Sequence, residues 1–436
     1  MIKLTAMTTI TELYEIYKKH PFVTTDSRNC PSGSLFIALK GDNFNGNHFA
    51  KQALDLGSSF AVVDEPDAVT DPRILLVDDC LKTLQGLAAH HRRQCNIPVI
   101  GITGTNGKTT TKELMASVLS KKYNLLYTQG NLNNHIGVPL TLLRLKPEHE
   151  IAVIEMGANH PGEIKELVEI TDPDFGLITN VGKAHLEGFG SFEGVIRTKG
   201  ELYDYLRTKG GKIFINMENP YLRTIAKGID EIKYATKAGY PLWGETISCS
   251  PFLKFRWFSD YDSHVHEAQT NLIGSYNLEN ALAAVCVGMH FGVPTDEIAI
   301  ALQEYVPSNN RSQLKQTEQN TLIIDAYNAN PTSMSAAIQN FEQYEAPRKA
   351  VILGSMKELG ELSEEEHKRL AFHLAEISFD RVFLIGPEFK NASSDYPVFD
   401  SAEAFISYLE EQPIQGYTIL IKGSRGNQLE SLVPFL

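Results

Sequence analysis

The chain has 436 residues, a length that corresponds to about three domains of ordinary size. Its 53 acidic residues outnumber the 40 lysines and arginines and give a formal net charge of −13. General binding to nucleic-acid backbones is therefore disfavoured, whereas local binding of a nucleotide is not. Hydrophobic residues make up 42% and charged residues 21%, which is typical of globular domains and excludes a disordered chain.

Neither the cysteines nor the apolar segments indicate a secreted or membrane protein. The five cysteines are scattered and show no CxxC spacing, which excludes a disulfide framework or a zinc ribbon and favours a reducing cytoplasm. The first residues lack the apolar segment of a signal peptide, and no run of about 18 apolar residues is present. We expect a cytoplasmic protein without a membrane span, and we also expect a monomer.

The first part of the chain mixes short strands with helical segments. Apolar, β-branched runs that end at Gly, Asp or Pro predict strands at 34–41, 60–65 and 73–79. The spacing of apolar residues in HFAKQALDLG predicts a helix at 48–57. The polar stretch with a proline at 90–98 is interpreted as a linker, so the first domain is predicted to comprise residues 1–95.

From Pro98 onward, apolar runs alternate with helical segments, which indicates a parallel sheet with crossover helices. The predicted strands are 99–103, 151–157, 175–182 and 212–216. The segment 236–272 is interpreted as a strand-rich insertion, and 277–292 is predicted to be an amphipathic helix. We predict a central domain at 96–308, with ligands at the carboxyl ends of its strands.

Residues 309–436 repeat the alternation of strand and helix. The predicted strands are 321–328, 350–356, 381–386 and 417–424. We therefore predict an α/β fold of three domains: a mixed α/β N-terminal domain, a central P-loop domain with a parallel sheet, and a C-terminal Rossmann-like domain.

A glycine-rich loop follows the first strand of the central domain and precedes a helix. It consists of Gly104, Thr105, Asn106, Gly107, Lys108, Thr109 and Thr110. Glycines let backbone N–H groups approach phosphate oxygens, and the N-terminus of the following helix favours negative charge. We predict that Lys108 neutralises the β- and γ-phosphates of ATP and that the Thr109 hydroxyl binds Mg²⁺. The loop is a short G-x-x-G-K-T variant, because Ile102 stands where the longer motif has Gly.

Two further polar side chains follow other strands of the same predicted sheet. Glu155 ends a buried strand, where its carboxylate is a candidate Mg²⁺ ligand, and His185 follows the strand FGLITN. Each residue alone is more often structural, but both are expected at the sheet edge that carries the glycine-rich loop. Lys199 has almost no functional signal of its own, because a lysine is usually a solvated side chain.

These residues lie in a series of motifs that resembles the Mur ligases, the ATP-dependent amide-forming enzymes of peptidoglycan synthesis. The resemblance covers essentially the full length. Its central motifs are GTNGKTT (104–110), TQGNLNNHIGVPLTLL (128–143), EMGANHPGEI (155–164), NVGKAHLEGFGS (180–191) and KGEL (199–202). A chain of motifs in this order and spacing is far more specific than the loop alone.

The outer domains distinguish between members of the family. Segment 25–49 resembles a uridine-nucleotide domain, whereas 325–334 and 353–361 resemble the member that adds a dipeptide. The resemblance implies ligation of D-alanyl-D-alanine to the terminal carboxylate of UDP-N-acetylmuramoyl-tripeptide through an acyl phosphate. The member that adds diaminopimelate or lysine is the nearest alternative, although its Asp-Asn-Pro-Arg signature is absent. Folylpolyglutamate synthase lacks the uridine domain, and another P-loop ATPase is the more distant alternative.

The resemblance also implies a role for each motif residue. Beyond the loop, ATP would be contacted by Asn277, Asn280, Arg311, Asp325, Asn328 and Asn330. The uridine site would comprise Ser27, Arg28, Gly46 and His48. The sugar-peptide would face Thr128, Asn133 and Asn134.

Two Mg²⁺ sites and three catalytic residues are likewise implied. One Mg²⁺ would be bound by Thr109 and Glu155, and a second by His185 and a CO₂-derived carbamate on Lys199. Lys108, His185 and Lys199 are the expected catalytic residues. The third domain is expected to close over the loop and to bring its own residues to ATP.

Overall fold

The computed structural model describes residues 7–308, 310–392 and 395–436. The first six residues of the predicted first domain, and residue 309, with which the third is predicted to begin, lie outside this part. The described chain forms three successive α/β units, each built around its own sheet of parallel strands, as predicted. The exact domain boundaries stay predictions. In the described part, no helix is long and apolar enough to cross a membrane.

The first unit has a four-stranded parallel sheet. Its elements are α1 (Ile10–Tyr17), β1 (Val23–Thr24), β2 (Leu35–Ile37), β3 (Lys40–Gly41), β4 (Phe44–Asn45), α2 (Ala50–Leu56), β5 (Phe60–Val63), β6 (Ile74–Leu76) and α3 (Cys80–Gln94). The sheet order is β1-β2-β5-β6, and β3 and β4 form a separate antiparallel pair. The three predicted strands and the predicted helix are therefore present, although each strand is shorter than predicted.

The central unit has a six-stranded parallel sheet. Its first elements are β7 (Val99–Thr103), α4 (Lys108–Leu119), β8 (Leu125–Tyr127), α5 (Gly137–Leu142), β9 (Ile151–Glu155), α6 (Glu163–Thr171), β10 (Phe175–Ile178) and α7 (Leu186–Phe189). They are followed by α8 (Phe192–Lys209), β11 (Lys212–Asn216), α9 (Pro220–Ile225) and β12 (Asp230–Tyr234). The sheet order is β12-β11-β10-β7-β9-β8, so β7, which leads into the glycine-rich loop, is an interior strand.

Three antiparallel strands and two helices complete the central unit. They are β13 (Leu242–Ser248), β14 (Lys254–Ser259), β15 (His266–Gln269), α10 (Asn277–His290) and α11 (Thr295–Glu304). These elements confirm both the strand-rich insertion and the helix that begins at Asn277.

Alternating residues of β9 bury the two faces of the central sheet in different cores. Ile151 and Val153 pack in the core that contains α4 and α10, whereas Ala152 and Ile154 pack in the core that contains α6 and α8. Because both faces are covered, the strand is apolar throughout and ends in one carboxylate. Helices on both faces therefore leave the carboxyl edge of the sheet as the place for a ligand.

The interpretation of residues 90–98 as a linker is wrong, because most of this segment forms the last turns of α3. Arg92 is buried, and its guanidinium donates to the carbonyls of Thr171 and Asp172 and pairs with Asp174 at 2.9 Å. Basic residues are favoured in the last turn of a helix, so the polar run is compatible with helix rather than with a break. Helix α3 thus docks the first unit on the central one.

The third unit has a six-stranded sheet of Rossmann-like construction. Its elements are β16 (Gln313–Gln316), β17 (Thr321–Asp325), α12 (Pro331–Gln343), β18 (Lys349–Gly354), α13 (Ser363–Ala375), β19 (Arg381–Ile385), β20 (Val398–Phe399), α14 (Ala402–Glu411) and β21 (Thr418–Lys422). The sheet order is β16-β17-β21-β18-β19-β20, and only β16 is antiparallel to its neighbour. All four predicted strands are confirmed.

Candidate active site

A cavity of about 710 Å³ lies where the carboxyl ends of the central strands face the third unit. Most of the residues singled out from the sequence line it. They are Thr105, Asn106, Gly107, Lys108, Thr109, Thr110, Asn133, Asn134, Glu155, His185, Asn277, Asn280, Arg311, Asp325, Asn328 and Asn330. A volume of several hundred Å³ is typical of a small-molecule site, and residues from two domains form its walls.

The glycine-rich loop adopts a conformation that requires its glycines. Gly104 and Gly107 have φ angles of 143° and 77°, which L side chains rarely adopt. A Cβ atom on Gly104 would overlap the Thr179 hydroxyl, and one on Gly107 would lie 2.5 Å from Oδ1 of Asn280. The close approach of these neighbours explains the Gly at each position.

Hydrogen bonds from the next strand hold the loop in place. The Asn106 N–H donates to Oδ1 of Asn180 at 3.0 Å. The Asn106 carbonyl accepts from the Thr179 hydroxyl at 2.6 Å and from Nδ2 of Asn180 at 3.1 Å. Neither residue was assigned a role from the sequence, although both follow β10 at the same sheet edge and Asn180 begins the motif at 180–191. The loop conformation is thus held by hydrogen bonds within its own domain.

Lys108 lies folded over its own loop. Its Nζ donates to the carbonyls of Gly104 at 2.8 Å and Thr105 at 3.1 Å. Burial lowers the pKa of Lys108, an effect that Glu155 opposes and Arg311 reinforces. An anionic ligand in the loop would favour the charged ammonium, so the site is electrostatically suited to a phosphate.

Glu155 is a buried carboxylate with one unsatisfied oxygen. Its Oε1 accepts from the Thr109 hydroxyl at 3.1 Å and from Nδ2 of Asn133 at 2.8 Å. Its Oε2 is buried and has no hydrogen-bond partner among the described residues. Leaving such an oxygen unpaired is costly, and a cation beside Thr109 would satisfy it.

Thr128 holds the backbone of Glu155 in place. It is fully buried, and its hydroxyl accepts from the Glu155 N–H at 2.9 Å. Asn134 lines the cavity, and its Oδ1 accepts from the N–H of Gly137 at the start of α5. Contacts of Thr128, Asn133 and Asn134 with a sugar-peptide stay predictions.

His185 and Lys199 both lie near the Phe189 ring. The His185 ring is nearly perpendicular to the Phe189 ring, with centroids 6.2 Å apart, and Nζ of Lys199 lies 5.2 Å from the Phe189 centroid. Lys199 is 2% exposed and donates to the carbonyl of Ala158 at 3.2 Å. Burial, reinforced by the charge of Lys108, places the pKa of Lys199 well below its ordinary value. The Lys199 amine is therefore protonated less readily than that of a solvated lysine.

Asn277 and Asn280 connect α10 to the loop helix. The Thr111 hydroxyl donates to Oδ1 of Asn280 at 3.0 Å, and Nδ2 of Asn280 donates to Oδ1 of Asn277 at 2.8 Å. Nδ2 of Asn277 donates in turn to the Ile273 carbonyl. The two amides line the cavity and brace α4, and their contact with a nucleotide stays a prediction.

The third unit contributes a cationic wall. The guanidinium of Arg311 stacks on the Tyr327 ring with its carbon 3.6 Å from the ring centroid. Lys422 is 2% exposed, and its Nζ donates to Oδ2 of Asp325 at 2.6 Å and to the Asn328 carbonyl at 3.3 Å. The sequence analysis missed Lys422, although a lysine at the end of an otherwise apolar strand was an available signal.

A few polar contacts join the third unit to the central one at the cavity. Nδ2 of Asn330 donates to Oδ1 of Asn106 in the loop at 2.7 Å. The Nδ1 atom of His185 is in contact with the Glu358 carboxylate, which lowers the pKa of Glu358. The third unit therefore lies against the loop and the His185 segment, and its closure over ATP stays a prediction.

The expected uridine residues lie elsewhere. Of the described residues that line the cavity, none belongs to this set. Arg28 is exposed and pairs with Asp26 at 2.9 Å, and Ser27 precedes it in the same turn. Gly46 is buried, and a Cβ there would overlap the Leu39 carbonyl. His48, two residues later, is exposed. Uridine binding by these residues stays a prediction.

Comparison with known proteins assigns each unit to one family. Three family models match: "Mur ligase family, catalytic domain" over residues 19–99, "Mur ligase middle domain" over 102–288, and "Mur ligase, glutamate ligase domain" over 310–425. The UDP-N-acetylmuramoyl-tripeptide–D-alanyl-D-alanine ligase of Bacillus subtilis is 35% identical over 427 residues, which cover 95% of this chain and 92% of that enzyme.

Two solved structures resemble the whole chain. MurF from Acinetobacter baumannii is 31% identical, with a TM-score of 0.88 and 99% of each chain covered. MurF from Thermotoga maritima in complex with ADP is 27% identical, with a TM-score of 0.84 and coverage of 95% of this chain and 96% of that one.

Proposed function

The chain belongs to the Mur ligase family, and from that premise we propose that it ligates D-alanyl-D-alanine to UDP-N-acetylmuramoyl-tripeptide at the expense of ATP. The enzyme is thus an ATP-dependent ligase that forms a C–N bond in peptidoglycan synthesis. The observation that carries the proposal is the cavity shared by the glycine-rich loop and the third unit. Its cationic groups and buried carboxylate suit a nucleoside triphosphate and a second, anionic substrate.

ATP would lie with its phosphates in the loop. Backbone N–H groups at the start of α4 would bind phosphate oxygens, and the Lys108 ammonium would turn from its own loop carbonyls to the β- and γ-phosphates. Arg311 would approach the phosphates from the third unit, where the Tyr327 ring already fixes its guanidinium. The ADP complex of the Thermotoga maritima relative supports a nucleotide in this fold.

The residues present fit a first Mg²⁺ ion at Thr109 and Glu155. The fit rests on the buried, unpaired Oε2 of Glu155 and on the Thr109 hydroxyl 3.1 Å from the other carboxylate oxygen. Oxygen ligands of this kind are those that Mg²⁺ prefers. Bound there, Mg²⁺ would offset the negative charge of the phosphoryl oxygens during transfer.

A second Mg²⁺ ion would be bound at His185 with a carbamate on Lys199. A neutral amine adds to CO₂ by forming an N–C bond and releasing one proton, and a lysine whose pKa is lowered by burial supplies that neutral amine. The carbamate would present two oxygens to the cation. A carbamylated Lys199 would be an anionic ligand, whereas a lysine is ordinarily a solvated cation. The burial of Lys199 beside Phe189 supports this proposal.

The reaction then proceeds in two steps. The terminal carboxylate of the tripeptide attacks the γ-phosphorus of ATP, the bond to the β-phosphate oxygen breaks, and an acyl phosphate and ADP result. The free amine of D-alanyl-D-alanine attacks the acyl carbon, loses a proton and displaces inorganic phosphate. The protein acts mainly by positioning and by positive charge from Lys108 and Arg311, while the docked third unit keeps water from the acyl phosphate.

Cytoplasmic location and the monomeric state stay part of the proposal. All five cysteines are free thiols, as a reducing compartment favours.

The test measures phosphate release from Mg-ATP with the UDP-sugar tripeptide, with and without D-alanyl-D-alanine, and determines the mass of the product. We expect release that requires both substrates and a product heavier by the dipeptide less water. Dependence on a single amino acid with a dipeptide substrate would instead assign the diaminopimelate- or lysine-adding reaction. Release that is indifferent to both would leave only a P-loop ATPase and contradict the proposal.

A further inference from the structure

We propose that Glu358 of the third unit is a positioning residue, which orients the imidazole of His185 for a metal ion when the two domains dock. The inference rests on the proposed role of His185 as a Mg²⁺ ligand, and it deepens that role. Residues of two domains, and not of the central domain alone, would then form the second metal site.

The contact is made by a loop that follows β18 and reaches across the domain interface. The carboxylate of Glu358 is in ion-pair contact with Nδ1 of His185, outside the alignment of a hydrogen bond, and the Glu187 N–H approaches the Glu358 carbonyl at 3.5 Å. Two residues further on, a Cβ on Gly360 would lie 3.4 Å from Cβ of Glu187. The loop therefore covers the segment that carries His185 with both its backbone and a side chain.

Both partners of this contact have unusual backbone conformations. Glu358 has a φ angle of 64° and His185 one of 50°, in the left-handed region that non-glycine residues rarely adopt. Such conformations persist only where the surrounding structure determines them, and they are concentrated at functional sites. Here two of them meet, one from each domain, at a proposed metal ligand.

The chemistry of histidine ligands explains why a carboxylate belongs at this place. A metal-binding imidazole uses one ring nitrogen, and the other commonly donates its hydrogen to a carboxylate. That partner fixes the tautomer and the ring orientation and makes the free nitrogen a better ligand. With Nδ1 of His185 against Glu358, Nε2 is the nitrogen left for a cation, and the Phe189 ring packs on the imidazole as a second constraint.

A second ion pair between the same two domains provides a control for the effect of docking. Lys183 and Glu366 form a second ion pair between the same two domains, with Nζ and Oε1 3.3 Å apart, and it does not involve His185. The Lys183 side chain is half-exposed, whereas that of Glu366 is buried. The Lys183 pair therefore offers a matched control, because removing it disturbs the interface but not the imidazole.

The experiment uses Mn²⁺ as a paramagnetic substitute for Mg²⁺. The full chain is titrated with Mn²⁺ in the presence of a non-hydrolysable ATP analogue, and bound Mn²⁺ and its coupling to histidine nitrogen are measured by electron paramagnetic resonance. The variants are Glu358→Ala, Glu358→Gln, Lys183→Gln and His185→Ala. Thermal unfolding of each variant verifies that it is folded.

We expect Glu358→Ala to weaken the histidine-bound Mn²⁺ by about ten- to a hundredfold and to reduce the nitrogen coupling, because outer partners of metal ligands have effects of this size. Glu358→Gln should lie between wild type and Glu358→Ala, since an amide oxygen still accepts a hydrogen bond. Lys183→Gln should change the affinity by less than about twofold, because the Lys183 ammonium pairs with Glu366 and not with His185.

The outcomes separate this inference from the proposal on which it rests. If His185→Ala abolishes the nitrogen coupling while Glu358→Ala behaves like wild type, the positioning role of Glu358 is overturned and the metal role of His185 stands. Equal losses in Lys183→Gln and Glu358→Ala would assign the effect to docking and also overturn the inference. If His185→Ala leaves Mn²⁺ binding and its coupling unchanged, the proposed metal role itself fails.

Discussion

The two walls of the cavity are built in different ways. On the central wall, the Asn106 backbone is bonded to Thr179 and Asn180, so the loop conformation is held within its own domain. On the opposite wall, Asn330 of the third unit donates to Asn106 in the loop, and two ion pairs join the same domains nearby. One wall is preorganised, whereas the other is assembled by docking.

This difference predicts that substitutions on the two walls affect the reaction to different extents. A loop held by internal hydrogen bonds needs no reorganisation when phosphate binds, which is how preorganised sites gain their electrostatic effect. A wall held by a few polar contacts between domains is more easily displaced, and relative motion of domains is expected for interfaces of this kind. Changes on the central wall should therefore abolish the reaction, whereas changes on the docked wall should weaken it.

The largest effect is expected from removing the charge of the central wall. Lys108→Ala should lower kcat by about 10³-fold or more, because no other group in the loop offsets the transferring phosphoryl charge. The measurement is phosphate release in the complete reaction, with circular dichroism to verify the fold. Lys121→Ala is the control, because this lysine follows the C-terminal end of α4 and pairs with Glu304 away from the loop. Comparable losses in the two variants would contradict a specific role for Lys108.

Replacement of Lys199 should cause a loss of activity that added carboxylic acids partly reverse. Lys199→Ala should lose activity by about 100-fold and regain part of it with added short carboxylic acids, which replace the carbamate oxygens. The control is Lys112→Ala, since Lys112 is also a fully buried lysine but donates to the Thr128 carbonyl. Rescue of Lys112→Ala to the same extent, or full activity of Lys199→Ala without additive, would refute the carbamate.

On the docked wall, the Lys422–Asp325 pair should matter most for stability. Lys422→Met leaves the Asp325 carboxylate without its buried partner, which should destabilise the third unit by about 3 kcal/mol. Hydrogen exchange of the β21 amides measures this locally. The exposed pair Lys368–Glu364 is the control, because Lys368→Met should cost less than about 0.5 kcal/mol. If the β21 amides are equally protected from exchange in Lys422→Met and Lys368→Met, the buried pair does not stabilise this wall.

The smallest effect is expected where the two walls meet. Asn330→Ser keeps an N-cap for α12 but is too short to reach Asn106, so KM for ATP should rise about fivefold, as one lost hydrogen bond predicts.

The control for this variant is Asn340→Ser. Asn340 accepts from the Ser275 N–H across the same domain interface, away from the loop, so its loss should leave KM for ATP nearly unchanged. An unchanged KM in Asn330→Ser would mean that docking of this residue does not assist ATP binding.

The same comparison explains what the sequence could predict. The loop was identified because its chemistry is local: Gly104, Gly107 and Lys108 stand within five residues, between a strand and a helix. Its supports, Thr179 and Asn180, were not identified, because they depend on β10 pairing beside β7. Neighbouring strands in a parallel sheet are distant in the chain, so such partners carry no local signal.

The docked wall was harder to predict for the same reason. Lys422 pairs with Asp325 only because β21 lies beside β17, and nothing near either residue indicates this. The contact of Glu358 with His185 depends in addition on how two domains sit together. Arg92 was misread because a buried arginine and a solvated linker arginine look alike in a polar run.

Transfer of the γ-phosphoryl group to a substrate carboxylate in this cavity is tested most directly by isotope transfer. The UDP-sugar tripeptide is labelled with ¹⁸O in its terminal carboxylate and is ligated with unlabelled ATP and D-alanyl-D-alanine. We predict one ¹⁸O atom in each inorganic phosphate released, because the carboxylate oxygen leaves with the phosphoryl group of the acyl phosphate. Unlabelled phosphate, or label in AMP instead, would contradict attack of the carboxylate on the γ-phosphate.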